Sequence, residues 1–139
     1  MLIKCVGNEA ACLPEHYRKI YAPEGCANRK WPLFPDKIYV CCAVAVYDGR
    51  LLYLVKNEDD PCPEFVPAPL FSVVNGQISK GWSYWVVDEY LEGNLESVFG
   101  YAELTDGSPH YDSLINGERH AIELYEERER EILEELAAD

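Results

Sequence analysis

Cysteine and histidine residues near the start of the chain are the first candidates for chemistry. Cys12 and His16 lie four positions apart, with Cys5 before them and Cys26 after them. Thiolate and imidazole groups are the ligands that Zn²⁺ prefers in proteins. Structural zinc sites, however, usually include one tight pair of cysteines about two to four residues apart, and this segment has none. The spacing favours free thiols over a metal site, and we predict neither a metal nor another cofactor.

Catalysis by a nucleophile or by paired carboxylates has no specific support in the sequence. Six cysteines and three histidines allow many pairs, but none lies in a recognisable nucleophile motif. Carboxylates are abundant, yet acid–base catalysis needs two of them held in different environments. The acidic clusters also lack the alternating ligands and central glycine of a calcium loop. We predict that the chain is not an enzyme.

The length and the cysteine usage predict one cytosolic domain. With 139 residues, of which 48% are hydrophobic, the chain can bury a core as a single domain over residues 1–139. No apolar run approaches the roughly 20 residues that span a bilayer, and the first residues do not form an export signal. In the reducing cytosol, six free thiols are expected rather than three disulfides.

The charge of the chain is unevenly distributed. Residues 1–56 carry eight Lys or Arg against five Asp or Glu, whereas residues 57–139 carry four against twenty, a net charge of −16. Such a field repels nucleic acid and membrane surfaces and attracts cations or basic proteins. We therefore predict a basic protein partner, with no binding to nucleic acid or membranes. The alternative is that the acidity only keeps the protein soluble.

A β-hairpin is the clearest local signal. Largely apolar, alternating residues occupy residues 37–47, and Asp48-Gly49 separates them from a second apolar run at residues 50–56. Asp-Gly between two such runs favours the tight turn in which both central residues have positive φ. A two-residue loop sets Tyr47 opposite Arg50. Both faces are largely apolar, so both strands are predicted to be central and covered on both sides.

Further strands are predicted after a proline-rich loop. Four prolines within residues 57–69 exclude a central strand or a helix there. Strand character resumes at residues 70–74, Asn75-Gly76 is a second hairpin signal, and residues 82–87 are aromatic and β-branched. Residues 8–36, which follow a first strand at residues 2–6, are predicted to be irregular.

The last third of the chain has a helical period. Ser108-Pro109 favours the start of a short helix that ends near Asn116-Gly117, and a long helix is predicted from Glu118 onward. Its apolar stripe is interrupted at Glu129. Together the elements predict an α+β fold with the C-terminal helix packed on an antiparallel sheet of about four to six strands. The sheet is expected to be curled or to form a small, partly open barrel.

Parts of the chain resemble a group of small bacterial proteins. The resemblance rests on residues 38–40, 48–55 and 65–76, and on Gly100-Tyr101, His110-Tyr111 and Leu114-Ile115. The arrangement of residues 37–74 also resembles part of an SH3-like barrel. In size, acidity and organisation the protein is similar in type to the immunity proteins of contact-dependent inhibition and other bacterial toxin systems. That likeness implies a cytosolic protein that binds a toxin domain and blocks it.

Three functions are consistent with these patterns: an immunity protein that neutralises a basic toxin such as a nuclease, an SH3-like adaptor, and a small Cys/His metal-binding protein. We favour the first. The predicted partner-binding residues are two acidic clusters with neighbouring aromatic residues: Glu58, Asp59, Asp60, Glu64 and Phe65, and Asp88, Glu89, Tyr90 and Glu92. Most of the remaining aromatic side chains are predicted to lie in the core, with a minority exposed for protein contact.

Overall fold

The computed structural model describes residues 1–25, 27–57, 59–86 and 95–138. In these ranges it contains eight strands and four α-helices. In chain order they are β1 (Leu2–Cys5), α1 (Glu15–Tyr21), β2 (Ile38–Val40), β3 (Ala43–Tyr47), β4 (Arg50–Val55), β5 (Glu64–Pro67), β6 (Phe71–Asn75), β7 (Trp82–Val86), β8 (Leu95–Tyr101), α2 (Ala102–Thr105), α3 (His110–Ile115) and α4 (Arg119–Ala137). Two single turns of 3-10 helix lie at Ala10–Cys12 and Ala68–Leu70.

The strands form two antiparallel sheets. One has three strands in the order β2-β1-β6, and the other has five in the order β5-β4-β3-β8-β7. A single hydrophobic cluster contains buried side chains from both sheets and from α4. The predicted α+β class, with antiparallel pairing and a C-terminal helix, is therefore confirmed, although the strands are divided between two sheets.

The predicted hairpin is present as β3 and β4. Asp48 and Gly49 both have positive φ, at 49° and 72°, as the mirror-image turn requires. Tyr47 lies opposite Arg50, and the pairing continues in register to the start of β3. Both strands are interior to the five-stranded sheet, as predicted.

The first strand of this hairpin is shorter than predicted, because residues 37–47 serve two sheets. β2 pairs with β1, and only β3 pairs with β4. The backbone hydrogen bonds show where the chain changes partner. The Cys41 N–H donates to the Met1 carbonyl at 2.9 Å, whereas the Cys42 N–H donates to the Leu54 carbonyl at 3.0 Å. A continuous apolar run cannot reveal such a crossing, because both halves are buried.

The second predicted hairpin, at Asn75-Gly76, is wrong. β6 pairs with β1, and β7 pairs with β8. Gly76 is not among the residues with positive φ, so the mirror-image turn does not form. The Asn75 side chain instead accepts a hydrogen bond from the Gln77 N–H at 2.9 Å, which closes a local turn of a different kind.

Four elements were not predicted: β5 within the proline-rich loop, β8, α1 and α2. β5 is an edge strand, so its terminal Pro67 removes no hydrogen bond from the sheet interior. β8 lies between β3 and β7. α1 starts directly after Pro14, a position at which proline is compatible with a helix.

α4 and α3 agree with the sequence. α4 begins at Arg119, one residue after the predicted start, and Ala121, Tyr125 and Ile132 form its buried stripe. Glu129 interrupts this stripe as predicted and is half-buried. α3 ends two residues before Gly117, which has a φ of 72°.

Candidate functional site

The first predicted acidic cluster lies in the connection between β4 and β5. Asp59 and Asp60 are exposed, and Glu58 lies outside the described residues. The buried Asn57 orders the loop, because its side-chain oxygen accepts hydrogen bonds from the Asp59 and Asp60 N–H groups, both at 3.0 Å. Asp60 in turn accepts from the Cys62 N–H at 2.9 Å. The two carboxylates are thus held at the surface by local hydrogen bonds.

Glu64 and Phe65 are in β5 and are less accessible. Both are half-buried. The Phe65 ring packs against Tyr111 of α3, with 6.1 Å between the ring centroids. The Glu64 carboxylate accepts a hydrogen bond from the Asn57 side-chain amide at 3.4 Å. The structure therefore links the described acidic residues of the first cluster through Asn57, but it uses Phe65 for packing within the protein.

The second predicted cluster falls outside the described residues. Asp88, Glu89, Tyr90 and Glu92 all belong to residues 87–94. In the sequence these residues connect β7 to β8, so the predicted site includes the connection of a described strand pair.

A partly exposed apolar face of the five-stranded sheet lies on these same strands. Strand pairing sets Tyr84 opposite Phe99, Phe99 opposite Val44, and Val46 opposite Leu51, and alternate residues of a strand share one face. We call this surface the open sheet face; its apolar residues are Val44, Val46, Leu51, Tyr84, Val86 and Phe99, and the buried Ser97 lies between Val46 and Val86.

Exposure distinguishes the open sheet face from the opposite side of the sheet. Tyr84 and Val86 are each 62% exposed, and Leu51 is 44% exposed. On the opposite side, the central residues are buried; these are Ala43, Ala45, Leu52, Leu54 and Val98. The prediction that both faces of the central strands are covered is therefore correct for one face and only partly correct for the other.

A cavity of about 210 Å³ lies where the start of β7 and the end of β8 meet α4. Trp82, Glu103, Arg128, Glu131 and Glu135 contribute to its lining. Arg128 donates from Nε to Glu103 at 2.6 Å and from Nη1 to Glu131 at 2.8 Å. The hydrogen bonds to Glu103 raise the pKa of Arg128, so the guanidinium stays charged.

A buried Tyr–His pair lies next to this cavity. The Tyr101 hydroxyl and His110 Nε2 are 2.6 Å apart, and both residues are buried. Burial raises the pKa of Tyr101 and lowers that of His110, so both groups are neutral at pH 7. The pair fixes the start of α3 against the end of β8, and its burial is typical of a structural contact.

Among the described residues, the cysteines form no cluster suited to chemistry. Cys5, Cys12, Cys41, Cys42 and Cys62 are free thiols, and Cys26 lies outside the described residues. Burial raises the pKa of Cys41 to about 12, and it raises that of Cys42 as well. These two thiols are therefore protonated and unreactive at neutral pH.

The described parts of the chain contain no group of three or more His, Cys, Asp or Glu side chains that could hold a metal ion. In the same parts, none of the helices combines the length and the apolar character needed to cross a bilayer.

Only part of the open sheet face can be recognised in the sequence. Tyr84 and Phe99 belong to the aromatic residues of which a minority were expected to be exposed, and Tyr84 is the clear case. Val44, Val46 and Val86 have no property that separates them from core residues, since only the pairing of β3, β8 and β7 brings them together.

Comparisons of this chain with protein-family models, with curated proteins and with solved structures found no match. The fold and the surfaces described above are therefore the basis for assigning a function.

Proposed function

We propose that this protein binds a basic protein through the open sheet face and the neighbouring acidic residues, and that the partner is a toxin domain which this binding neutralises. The open sheet face carries the proposal. Its six apolar side chains lie on four adjacent strands, and Tyr84 and Val86 are largely exposed. A contiguous apolar patch on a folded protein is typical of an interaction site.

The composition of the face suits a protein interface. Tyrosine and other aromatic side chains contribute much of the binding energy in protein complexes when a partner buries them. Tyr84 is supported from one side by Phe99, whose ring centroid is 6.4 Å away. A supported ring is already ordered before binding, so less conformational entropy is lost when the partner arrives.

Charge defines the kind of partner. The chain has a net charge of −13, and the connection between β7 and β8 contains Asp88, Glu89 and Glu92. Asp59 and Asp60 add exposed carboxylates in the connection after β4. Acidic surfaces speed the capture of basic proteins by long-range attraction. A nuclease toxin must be basic where it holds phosphates, so an acidic protein competes for that surface.

Binding to any basic toxin domain encoded beside this gene tests the proposal. Val86→Lys places a positive charge in the open sheet face and should weaken binding to a basic partner at least tenfold. Val73→Lys is the matched control, because Val73 is 53% exposed but lies on β6 of the other sheet. Tyr84→Ala should also weaken binding, by about thirtyfold if the ring is a central anchor.

The acidic residues are tested by charge reversal and by salt. Asp59→Lys with Asp60→Lys, and Asp88→Lys with Glu89→Lys, should slow association and leave the fold intact. Raising the salt concentration should slow association of the wild type, because exposed charges are screened beyond about 8 Å at physiological ionic strength. Equal binding by Val86→Lys and Val73→Lys would exclude the open sheet face, and a wild type that binds no adjacent toxin would contradict the function.

A further inference from the structure

β7 presents an unprotected strand edge. It is the last strand of the five-stranded sheet, so in the described parts of the chain it has a neighbouring strand on one side only. The backbone N–H and C=O groups of such an edge pair readily with a strand of another chain. Natural proteins prevent this pairing with prolines, bulges, charged side chains or very short edge strands.

The other three described edge strands each carry one of these devices. β5 directly follows Pro63 and ends at Pro67, and β2 has only three residues. The pairing of β6 with β1 shifts its register between Leu2 and Ile3, as at a bulge. β7 has none of these features, because its five residues are uncharged, contain no proline and pair with β8 in continuous register.

The backbone groups that β7 directs outward follow from its pairing with β8. Residues of an antiparallel pair alternate between those that exchange hydrogen bonds with the neighbouring strand and those whose N–H and C=O groups point away from it. The Trp82 N–H donates to the Ser79 carbonyl at 3.2 Å rather than to β8. Tyr84 and Val86, two and four residues further along, therefore direct their N–H and C=O groups away from β8. Counting the same alternation outward from the two-residue turn between β3 and β4 gives the same result.

The same two residues have accessible side chains, since Tyr84 and Val86 are each 62% exposed. Exposed side chains beside outward backbone groups are what a protein needs to add a strand to its sheet. A helix satisfies its backbone groups internally, so the occupant that fits this edge is another strand.

The edge is complementary to itself. With a two-fold axis at Tyr84, antiparallel pairing sets Tyr84 opposite Tyr84 of a second copy and Trp82 opposite Val86. The two Tyr84 residues then exchange both hydrogen bonds, and each Val86 N–H donates to the Trp82 carbonyl of the other copy. Because β7 has no charged side chain, no like charges lie directly opposite each other along the paired strands.

The charges on either side of β7 in the sequence fit the same pairing. Lys80 is exposed and precedes β7 by two residues, and Asp88, outside the described residues, follows it by two. Both positions are four residues from Tyr84, so the two-fold axis relates one to the other. Positions of opposite charge therefore correspond beyond both ends of the paired strands, an arrangement that favours cross-strand pairing.

We propose that this edge pairs with the same edge of a second copy, so that the protein forms a two-fold symmetric dimer. Alternate residues of a strand share one side of a sheet, so Tyr84 and Val86 of both copies lie on the same side of the joined sheet. The two open sheet faces thereby become one continuous surface. The dimer does not depend on the identity of any toxin partner, and it can be tested with the protein alone.

Analytical ultracentrifugation of the full chain tests the dimer. A single pair of strands is a small interface, for which we expect a dissociation constant of about 10–100 µM. The average mass should therefore rise from the 15.9 kDa of one chain towards twice that value between about 1 µM and about 1 mM protein. The amide protons of Tyr84 and Val86 should become more protected from hydrogen exchange over the same range.

A charge swap at Tyr84 tests the position of the two-fold axis. Tyr84→Lys and Tyr84→Glu each place two like charges opposite each other, so each variant alone should dimerise about tenfold more weakly than the wild type. An equimolar mixture of the two variants should associate as the wild type does, within about threefold, because opposite charges then meet. Val73→Lys is the matched control, since Val73 is 53% exposed on β6 of the other sheet, and it should leave dimerisation unchanged.

The backbone hydrogen bonds are tested at Val86. Val86→Pro removes an N–H that β8 does not use, whereas Val86→Thr keeps it, so the proline variant should dimerise about tenfold more weakly than the threonine variant. Urea unfolding of each variant checks that the fold is kept, and if Val86→Pro is unfolded, the charge swap decides alone.

Four results would overturn the proposal: a wild-type mass that stays at 15.9 kDa at every concentration, wild-type dimerisation by Tyr84→Lys, a mixture that associates no more tightly than the single variants, or equal dimerisation by folded Val86→Pro and Val86→Thr.

Discussion

Removing the hydroxyl group of Tyr101 tests whether its buried contact with His110 stabilises the fold. In Tyr101→Phe the ring keeps its packing against Tyr125, whose ring centroid is 6.5 Å away. His110 Nε2 loses the oxygen that lies 2.6 Å from it and is left unpaired in a buried position. A buried polar group without a hydrogen-bond partner destabilises the folded state by about 1–3 kcal/mol. The free energy of unfolding in urea at pH 7.5 should therefore fall by about that amount.

The reverse change should cost a similar amount, because His110→Leu leaves the Tyr101 hydroxyl unpaired. The double variant leaves neither group unpaired, so it should lose less than the sum of the single variants by about 1 kcal/mol or more. Strictly additive losses, or a loss below about 0.5 kcal/mol in Tyr101→Phe, would refute the claim that the buried Tyr101–His110 hydrogen bond stabilises the fold.

The same pair predicts a pH dependence of stability. Burial lowers the pKa of His110, so the unfolded chain takes up its proton at a higher pH than the folded chain does. The stability contributed by neutral His110 is fully present above the unfolded value of about 6.5 and is lost as the pH falls through the lower folded value. The wild type should lose more stability than His110→Leu between pH 7.5 and 5. Parallel pH profiles would contradict this assignment.

Other predictions concern packing, a half-buried carboxylate and the thiols. In Gly100→Ala the new Cβ would lie 2.6 Å from the Ala43 Cβ, so the free energy of unfolding in urea should fall by about 1–3 kcal/mol. Gly76→Ala is the control, because its nearest contact is at 3.6 Å, and it should be nearly neutral. Equal losses in the two variants would contradict the close packing of β8 on β3. Burial raises the pKa of Glu129, so the wild type loses stability as the pH rises through that value. Glu129→Gln keeps an acceptor for the Tyr125 hydroxyl, so this variant should be at least as stable as the wild type at pH 7. Any gain in its free energy of unfolding over the wild type should vanish near pH 4.5. A loss above about 1 kcal/mol at pH 7 would contradict this. Thiol titration of the unfolded, non-reduced protein should detect all six cysteines, and a lower count would indicate a disulfide or a bound metal.

Local signals predicted the elements that depend on short-range chemistry. Asp48-Gly49 determines its own turn, because both residues must adopt positive φ, and the register of β3 on β4 follows from it. α4 is long and periodic, so its start was predicted to within one residue. The interruption at Glu129 was also visible, since a carboxylate on an apolar stripe breaks the helical period.

Long-range pairing explains what the sequence could not predict. Asn75-Gly76 has the composition of a hairpin turn, but β6 finds its partner in β1, some seventy residues earlier. The change of sheet between Cys41 and Cys42 lies inside a uniform apolar run and leaves no local signal.

The candidate site, too, depends on pairing between distant strands, so it could be predicted only in part. Acidic residues could be found by their charge, whereas the open sheet face depends on four strands from separate parts of the chain. Val44 on β3 and Tyr84 on β7 share a face only because β8 lies between those strands. The cavity at Trp82 needs α4 in addition, so no window of sequence contains it.

Protection of cells that express any basic toxin encoded beside this gene tests the central claim most directly. Survival should be measured with the wild type, with Val86→Lys and with Val73→Lys, at matched protein levels. We predict full protection by the wild type and by Val73→Lys, and loss of protection by Val86→Lys, because only Val86 lies in the open sheet face. Equal protection by all three proteins would contradict the proposed surface, and no protection by the wild type would contradict the proposed function.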